Sequence, residues 1–368
     1  MKKKFGKILN YVVIFGTLLV VLIVGLTSNE LDGGVKALLS LSFGSLLLCF
    51  VGYLGNMASD AFATWYFLRR QGCKVSFWYM LFVTIAGLYY SNITPGASGG
   101  QPMQVYYMHK KGVPMGLSVS SLVVKFFSFQ FMLSFMATIF WIIYPGFIAN
   151  AVREYMWFMI IGYVYNALMV SLLVLVVLKR GIVLKLCNLV LGLGIRLHLV
   201  KDPESSRRRT EKAVDTFHES IALLTQHPLD LVVQMLIGAV QLMCQMSILY
   251  FIYMGLGQHG VSYGELVSVD LMEYLSAAYM PIPGAAGAQE VTFSLYFGEI
   301  FPEGVRFAAL LLWRFFTYYL QLLVGAVVTF AYGWRVGEDR KAVLEDAKRF
   351  EYDHTTNEEQ TEGGSSNE

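Results

Sequence analysis

The chain has 368 residues, of which 56% are hydrophobic and only 15% charged; soluble domains carry about 25% charged residues. That composition cannot cover a water-exposed surface, and the apolar content is too high for a disordered chain, so the class is integral membrane protein. A net charge of +2 says nothing by itself, and the four scattered cysteines, without a CxxC or Cys/His pairing, read as buried thiols rather than a metal or disulfide framework.

Taken in chain order, Met1–Lys7 holds four lysines ahead of the apolar run Ile8–Thr27. No small-residue cleavage pattern follows, so the run is expected to be a retained signal-anchor and first span. Ala37–Leu68, Met115–Tyr144, Met156–Leu178, Leu229–Leu256 and Phe307–Tyr332 are each long and apolar enough to cross a bilayer. Two weaker stretches, Ser76–Tyr90 and Gly264–Met280, run straight into Pro/Gly-rich loops. Gly181–His227 is basic, with apolar residues at helical spacing, and reads as interfacial helices on an anionic inner leaflet. Residues 336–368 read as a short helix and a disordered acidic tail, leaving one transmembrane domain over 1–335.

Placing lysine and arginine on the cytoplasmic side sets the topology. Met1–Lys7, Arg69–Lys74, Lys110–Lys111, Lys179–Lys212 and Arg335–Arg349 hold most of the 28 basic residues. All five blocks fall inside only if each weak stretch enters the membrane and returns to the face it came from, the first from the cytoplasm and the second from outside. The expected architecture is therefore all-α and polytopic, with six full spans, two re-entrant hairpins, both termini cytoplasmic and the plasma membrane as location.

The two loops repeat. Pro95-Gly96-Ala97-Ser98-Gly99-Gly100-Gln101 matches Pro283-Gly284-Ala285-Ala286-Gly287-Ala288-Gln289 at five positions. A basic-Phe-Phe-hydroxyl tetrad follows each: Lys125 comes 24 residues after Gln101, and Arg314 comes 25 after Gln289. With hairpins entering from opposite faces, the halves (about 37–144 and 229–332) form an inverted repeat, the architecture of transporters whose site lies where broken helices meet.

Helices opening after such loops present unpaired N–H groups that favour an anion such as phosphate; alternatively, Asn92, Thr94, Gln101 and Gln289 cap the loops internally. Ionisable residues inside a span are functional candidates. Lys125 and Arg314 hold the phosphate of an amphiphilic substrate, or else pair internally with Asp60, Glu273 or Glu290. Those acids receive a cationic headgroup, carry a coupling proton or neutralise the two cations. The candidate substrate site is thus Asn92, Thr94, Pro95, Gly96, Gly99, Gly100, Gln101, Lys125, Pro283, Gly284, Gly287, Gln289, Glu290 and Arg314, with Asp60 and Glu273 for selectivity or coupling. No P-loop or HExxH motif occurs, and no catalytic residue, metal, cofactor or nucleic-acid partner is expected.

At Asn92–Pro102 (Asn-x-Thr-Pro-Gly-x-x-Gly-Gly-Gln-Pro) and Pro281–Glu290 (Pro-x-Pro-Gly-x-x-Gly-x-x-Glu), the chain resembles the lysylphosphatidylglycerol synthase transmembrane family, the flippase-like domain of multiple-peptide-resistance-factor proteins, over about residues 5–335. The resemblance implies movement of an anionic or aminoacylated phospholipid from inner to outer leaflet, by a homodimer. Full-length members of that family also carry a cytoplasmic acyltransferase domain, and no domain of that size follows Tyr332. A stand-alone flippase is therefore expected, serving a lipid made by a separate enzyme. A glycolipid or polyprenyl-phosphate sugar, a small water-soluble anion, or a non-transporting role beside a lipid-modifying enzyme are the alternatives.

Overall fold

In lipid every backbone N–H and C=O must find a partner within the chain, so apolar runs of this length become helices. The computed structural model describes residues 41–196, 203–226, 228–277 and 287–331, all helix and connecting turn with no strand among them. The expected span Ile8–Thr27, the tail 336–368 and the centre of the second loop, with Pro283 and Gly284, lie outside the described residues.

Among the described residues five helices are long and apolar enough to cross a membrane: α1 (Phe43–Arg70), α4 (Met115–Ile143), α6 (Met156–Leu178), α9 (Pro228–Gly255) and α12 (Arg306–Ala331). Each coincides with an apolar run of the sequence. Leu47, Val51 and Leu54 of α1, Leu168 and Leu172 of α6, and Val327 and Phe330 of α12 stay exposed as a lipid-facing surface. Between α4 and α6 lies the short α5 (Pro145–Ala151).

The weak stretches form helix hairpins. α2 (Phe77–Asn92) and α3 (Gly100–Lys110) run antiparallel across a 3-10 turn at Pro95–Ala97. Gly100 lies against Ser91 at the tip, Gly87 against Gln104 midway, and the Tyr79 hydroxyl donates to the Tyr107 carbonyl, 2.7 Å, at the base. At 16 and 11 residues, the arms are about 24 and 16 Å long, short of the roughly 30 Å hydrocarbon core. In the second half α10 (Tyr263–Ala277) packs on α11 (Ala288–Tyr296), at 15 and 9 residues.

The halves are interlocked. Their opening helices, α1 and α9, meet through small residues: a Cβ on Gly52 would stand 2.9 Å from the Cys244 carbonyl, and one on Gly55 2.7 Å from its sulfur. Such close backbone approach is how helices associate where the hydrophobic effect offers no help. Each hairpin also touches the other half. Phe129 of α4 meets Tyr274 of α10 edge-on at 6.1 Å, and a Cβ on Gly325 of α12 would meet Tyr89 of α2 at 2.6 Å.

Two expectations change. α8 (Pro203–Gln226) buries Val214 and Phe217, and the Ser120 hydroxyl of α4 donates to the Phe217 carbonyl at 3.3 Å. This part of its apolar face is covered by protein rather than by a leaflet, while Arg180, opening α7 (Arg180–Arg196), pairs with Asp215 to tie the two helices together. The four cysteines are free, but only Cys49 is buried; Cys73, Cys187 and Cys244 are half-buried.

Candidate functional site

Arg314 sits where α12 widens from α- to π-helix, over Phe315–Tyr319. Arg314 and Tyr318, four residues apart, lie on one side of the helix; π-turns of this kind concentrate at functional sites. Arg314 is 1% exposed, one of the largest fully buried side chains described. Its Nε donates to Glu290 Oε1 at 2.7 Å, its Nη1 donates to Gln289 Oε1, and its guanidinium lies 4.9 Å over the Tyr318 ring.

Glu290 in turn caps its own helix. Its Oε2 accepts the Gly287 N–H at 2.6 Å, and Gly287 takes φ +84°, a conformation that favours glycine. The anion expected at the opening of this helix is therefore supplied by the chain itself. Behind it, Glu273 of α10 is fully buried, with Oε1 accepting from the Thr292 hydroxyl at 2.6 Å.

In the first half Lys125 Nζ donates to Asp60 Oδ2 at 2.9 Å. Asp60 also accepts from the Thr84 hydroxyl at 2.9 Å and, through Oδ1, from the Gln241 amide at 3.4 Å. The two repeat-related cations are thus both paired, but to acids that the repeat does not relate: Asp60 lies on an opening span, Glu290 beside a loop. The internal ion pairs left open by the sequence are the ones that form.

The first loop is held by its own residues. The Thr94 hydroxyl donates to the Tyr90 carbonyl at 2.6 Å and accepts the Gly99 N–H at 2.8 Å. Gly96 (φ +58°) and Ala97 (φ +53°) make the reversal after Pro95. A Cβ on Gly100 would fall 1.9 Å from the Ser91 hydroxyl, and one on Gly99 2.7 Å from Thr94, so both glycines are required by close packing. Gly96, Ala97, Ser98 and Gln101 remain exposed, an open rim above this tight base.

α12 reaches both hairpins. Arg314 holds Gln289 and Glu290 of the second, the Tyr318 hydroxyl donates to the Asn92 carbonyl at 3.5 Å, and the Asn92 amide donates to Gln321 Oε1 at 3.2 Å. The structure thus brings Asn92, Gln289, Glu290 and Arg314 onto one face of one helix. It sets the Lys125–Asp60 pair against different partners, from α2 and α9.

Sequence reading passed over Gln321, although it follows Arg314 at helical spacing, and Thr84 and Gln241, although both are polar residues inside apolar runs. It also passed over Asp270, one turn before Glu273 and 2% exposed. Among the described residues no group of three or more His, Cys, Asp or Glu is arranged to hold a metal.

A sequence model of the family described as "Lysylphosphatidylglycerol synthase TM region" matches residues 12–325. The chain is 24% identical over 259 residues to a UPF0104 membrane protein of Archaeoglobus fulgidus, covering 70% of this chain and 76% of the relative. It is 21% identical over 305 residues to a UPF0104 membrane protein of Methanocaldococcus jannaschii, covering 81% and 87%.

Proposed function

The chain belongs to the lysylphosphatidylglycerol synthase transmembrane family, and from that premise we propose that it is a flippase carrying an anionic or aminoacylated phospholipid from the inner to the outer leaflet. One observation carries the reading. A fully buried arginine, repeat-related to Lys125, stands on the helix that reaches both hairpins and is held by groups that a phosphate can replace: one carboxylate, one amide and one ring face. A phosphate offers bidentate acceptance to a guanidinium, so an arriving headgroup exchanges Glu290 for itself without leaving Arg314 unpaired at any stage.

Lys125, held by Asp60, is the corresponding group of the other half and receives the headgroup as it moves between leaflets. The headgroup enters at the first loop, which Asn92, Thr94, Pro95, Gly96, Gly99, Gly100 and Gln101 make up, and Gly287 and Gln289 serve it from the second half. Asp60 and Glu290 remain to receive the cationic end of an aminoacylated lipid once their own partners turn to the phosphate. The protein acts as a homodimer and takes its lipid from a separate modifying enzyme.

Vesicles reconstituted with the full chain and fluorescent phosphatidylglycerol, lysyl-phosphatidylglycerol or polyprenyl phosphate test this. Quenching from outside is expected to reveal accelerated exchange of one of the first two; a faster polyprenyl phosphate alone reassigns the headgroup, and no acceleration of any lipid refutes the flippase. Arg314→Gln combined with Glu290→Gln removes the charge pair without stranding either partner, and is expected to abolish exchange. Wild-type rates in that variant would remove Arg314 from the path.

A further inference from the structure

Three carboxylates and one guanidinium are buried together where α10, α11 and α12 meet. Glu290 is committed to Arg314 and to the Gly287 N–H. That leaves Glu273, fully buried, and Asp270, one turn earlier on α10 and 2% exposed, without a cation of their own. Glu273 makes one hydrogen bond, from Thr292, and its Oε2 is buried with no partner among the described residues.

The groups facing Glu273 are Glu290, Thr292 and Tyr296 from α11, Arg314 from α12 and Asp270 on its own helix. α5 and α6 contribute no charged residue, and the Tyr163 hydroxyl of α6 donates to the Ser134 carbonyl. The charged residues of α4 and α9 are spent elsewhere, Lys125 on Asp60 and Asp230 on Arg70. A buried carboxylate with an orphaned oxygen, whose one facing cation is already bonded to Glu290, does not stay ionised; it takes a proton.

We propose that Glu273 is a proton-binding site whose occupancy decides whether Arg314 is open to an anionic headgroup. This rests on reading Arg314 as the partner of that headgroup. With Glu273 neutral, Arg314 faces a single carboxylate, Glu290, which a phosphate displaces. When Glu273 loses its proton, a second carboxylate attracts the same guanidinium and opposes the incoming anion. Proton and anion therefore bind together, each strengthening the other by the same factor. The sign follows: anion affinity is full below the titration of Glu273 and falls as pH rises through it, by at most about tenfold per pH unit for one proton.

Two measurements on the full chain in phosphatidylcholine nanodiscs decide it. Infrared difference spectra are expected to show a protonated carboxyl C=O band at neutral pH that disappears in Glu273→Gln. Thr292→Val, which removes the hydroxyl that steadies the ionised form, shifts the band's titration to higher pH and guards against misfolding of the first variant. Short-chain phosphatidylglycerol is expected to bind more weakly as pH rises in the wild type and independently of pH in Glu273→Gln. A band that survives in Glu273→Gln, or that is missing from the wild type, overturns the proposal, as does binding that follows sodium concentration instead of pH. If the band behaves as expected but phosphatidylglycerol binds at no pH, the proton site stands and the flippase reading fails.

Discussion

Arg314 shows what a buried charge demands of its neighbours. With 1% exposure it cannot reach water, so its stability depends on Glu290 and Gln289. Arg314→Ala leaves Glu290 ionised and unpaired, and is expected to cost about 3–5 kcal/mol. Adding Glu290→Gln should restore most of the loss. Thermal unfolding in detergent checks both, and a single variant as stable as the wild type would show that the pair carries no such dependence. Gly100 makes the same point through space rather than charge. Gly100→Ala places a methyl 1.9 Å from the Ser91 hydroxyl and 2.7 Å from the Gly87 carbonyl, an overpacking expected to cost about 1–3 kcal/mol. Ser91→Ala should relieve only part of it, because the carbonyl remains. Full rescue would show that the hairpin arms separate more readily than their packing implies.

Among the elements, α12 does most to assemble the site, and its π-turn sets the register. An α-helix advances about 100° per residue, so removing one residue from Phe315–Tyr319 rotates Tyr318 and Gln321 away from Asn92 while leaving Arg314 on Glu290. Deletion of Thr317 is therefore expected to leave a folded protein that no longer exchanges lipid. Retained exchange would mean that the link between the hairpins is dispensable. α8 is the element whose role the fold altered. Because Phe217 is buried beside α4, Phe217→Ala is expected to free α8 and speed trypsin cleavage at the exposed Arg207 and Arg208, at no cost to the spans. An unchanged digestion pattern would place the hold on α8 elsewhere.

At the scale of the whole molecule, the hairpins are expected to enter from opposite faces. In a background with the four cysteines replaced by serine, Lys111→Cys should react with an impermeant thiol reagent only from the cytoplasmic side, and His259→Cys only from the other. Labelling of both from one side would abolish the inverted arrangement while leaving the two hairpins as they are. The interlocking of the halves, Phe129 on Tyr274 and Gly325 on Tyr89, ties the hairpins to the spans that carry the cations. A shift of either hairpin is therefore felt at Lys125 or Arg314.

The sequence alone determined the class, five described spans to within a few residues, the short helices α2 and α10, and the loop repeat with Lys125 and Arg314 at matching distances after it. These were legible because lipid leaves the backbone so few options that length, hydropathy and the cost of intramembrane charge are close to decisive. Only the tertiary structure decided which acid meets which cation, that Glu290 caps its own helix, that Tyr318 and Gln321 reach Asn92 of the first hairpin, and that Asp270 joins Glu273 on α10. Asp60 and Lys125 stand 65 residues apart, and Asn92 and Gln321 229. Partnerships over such separations come from helix packing in three dimensions, whereas periodicity and composition register only what lies within a few turns along one helix.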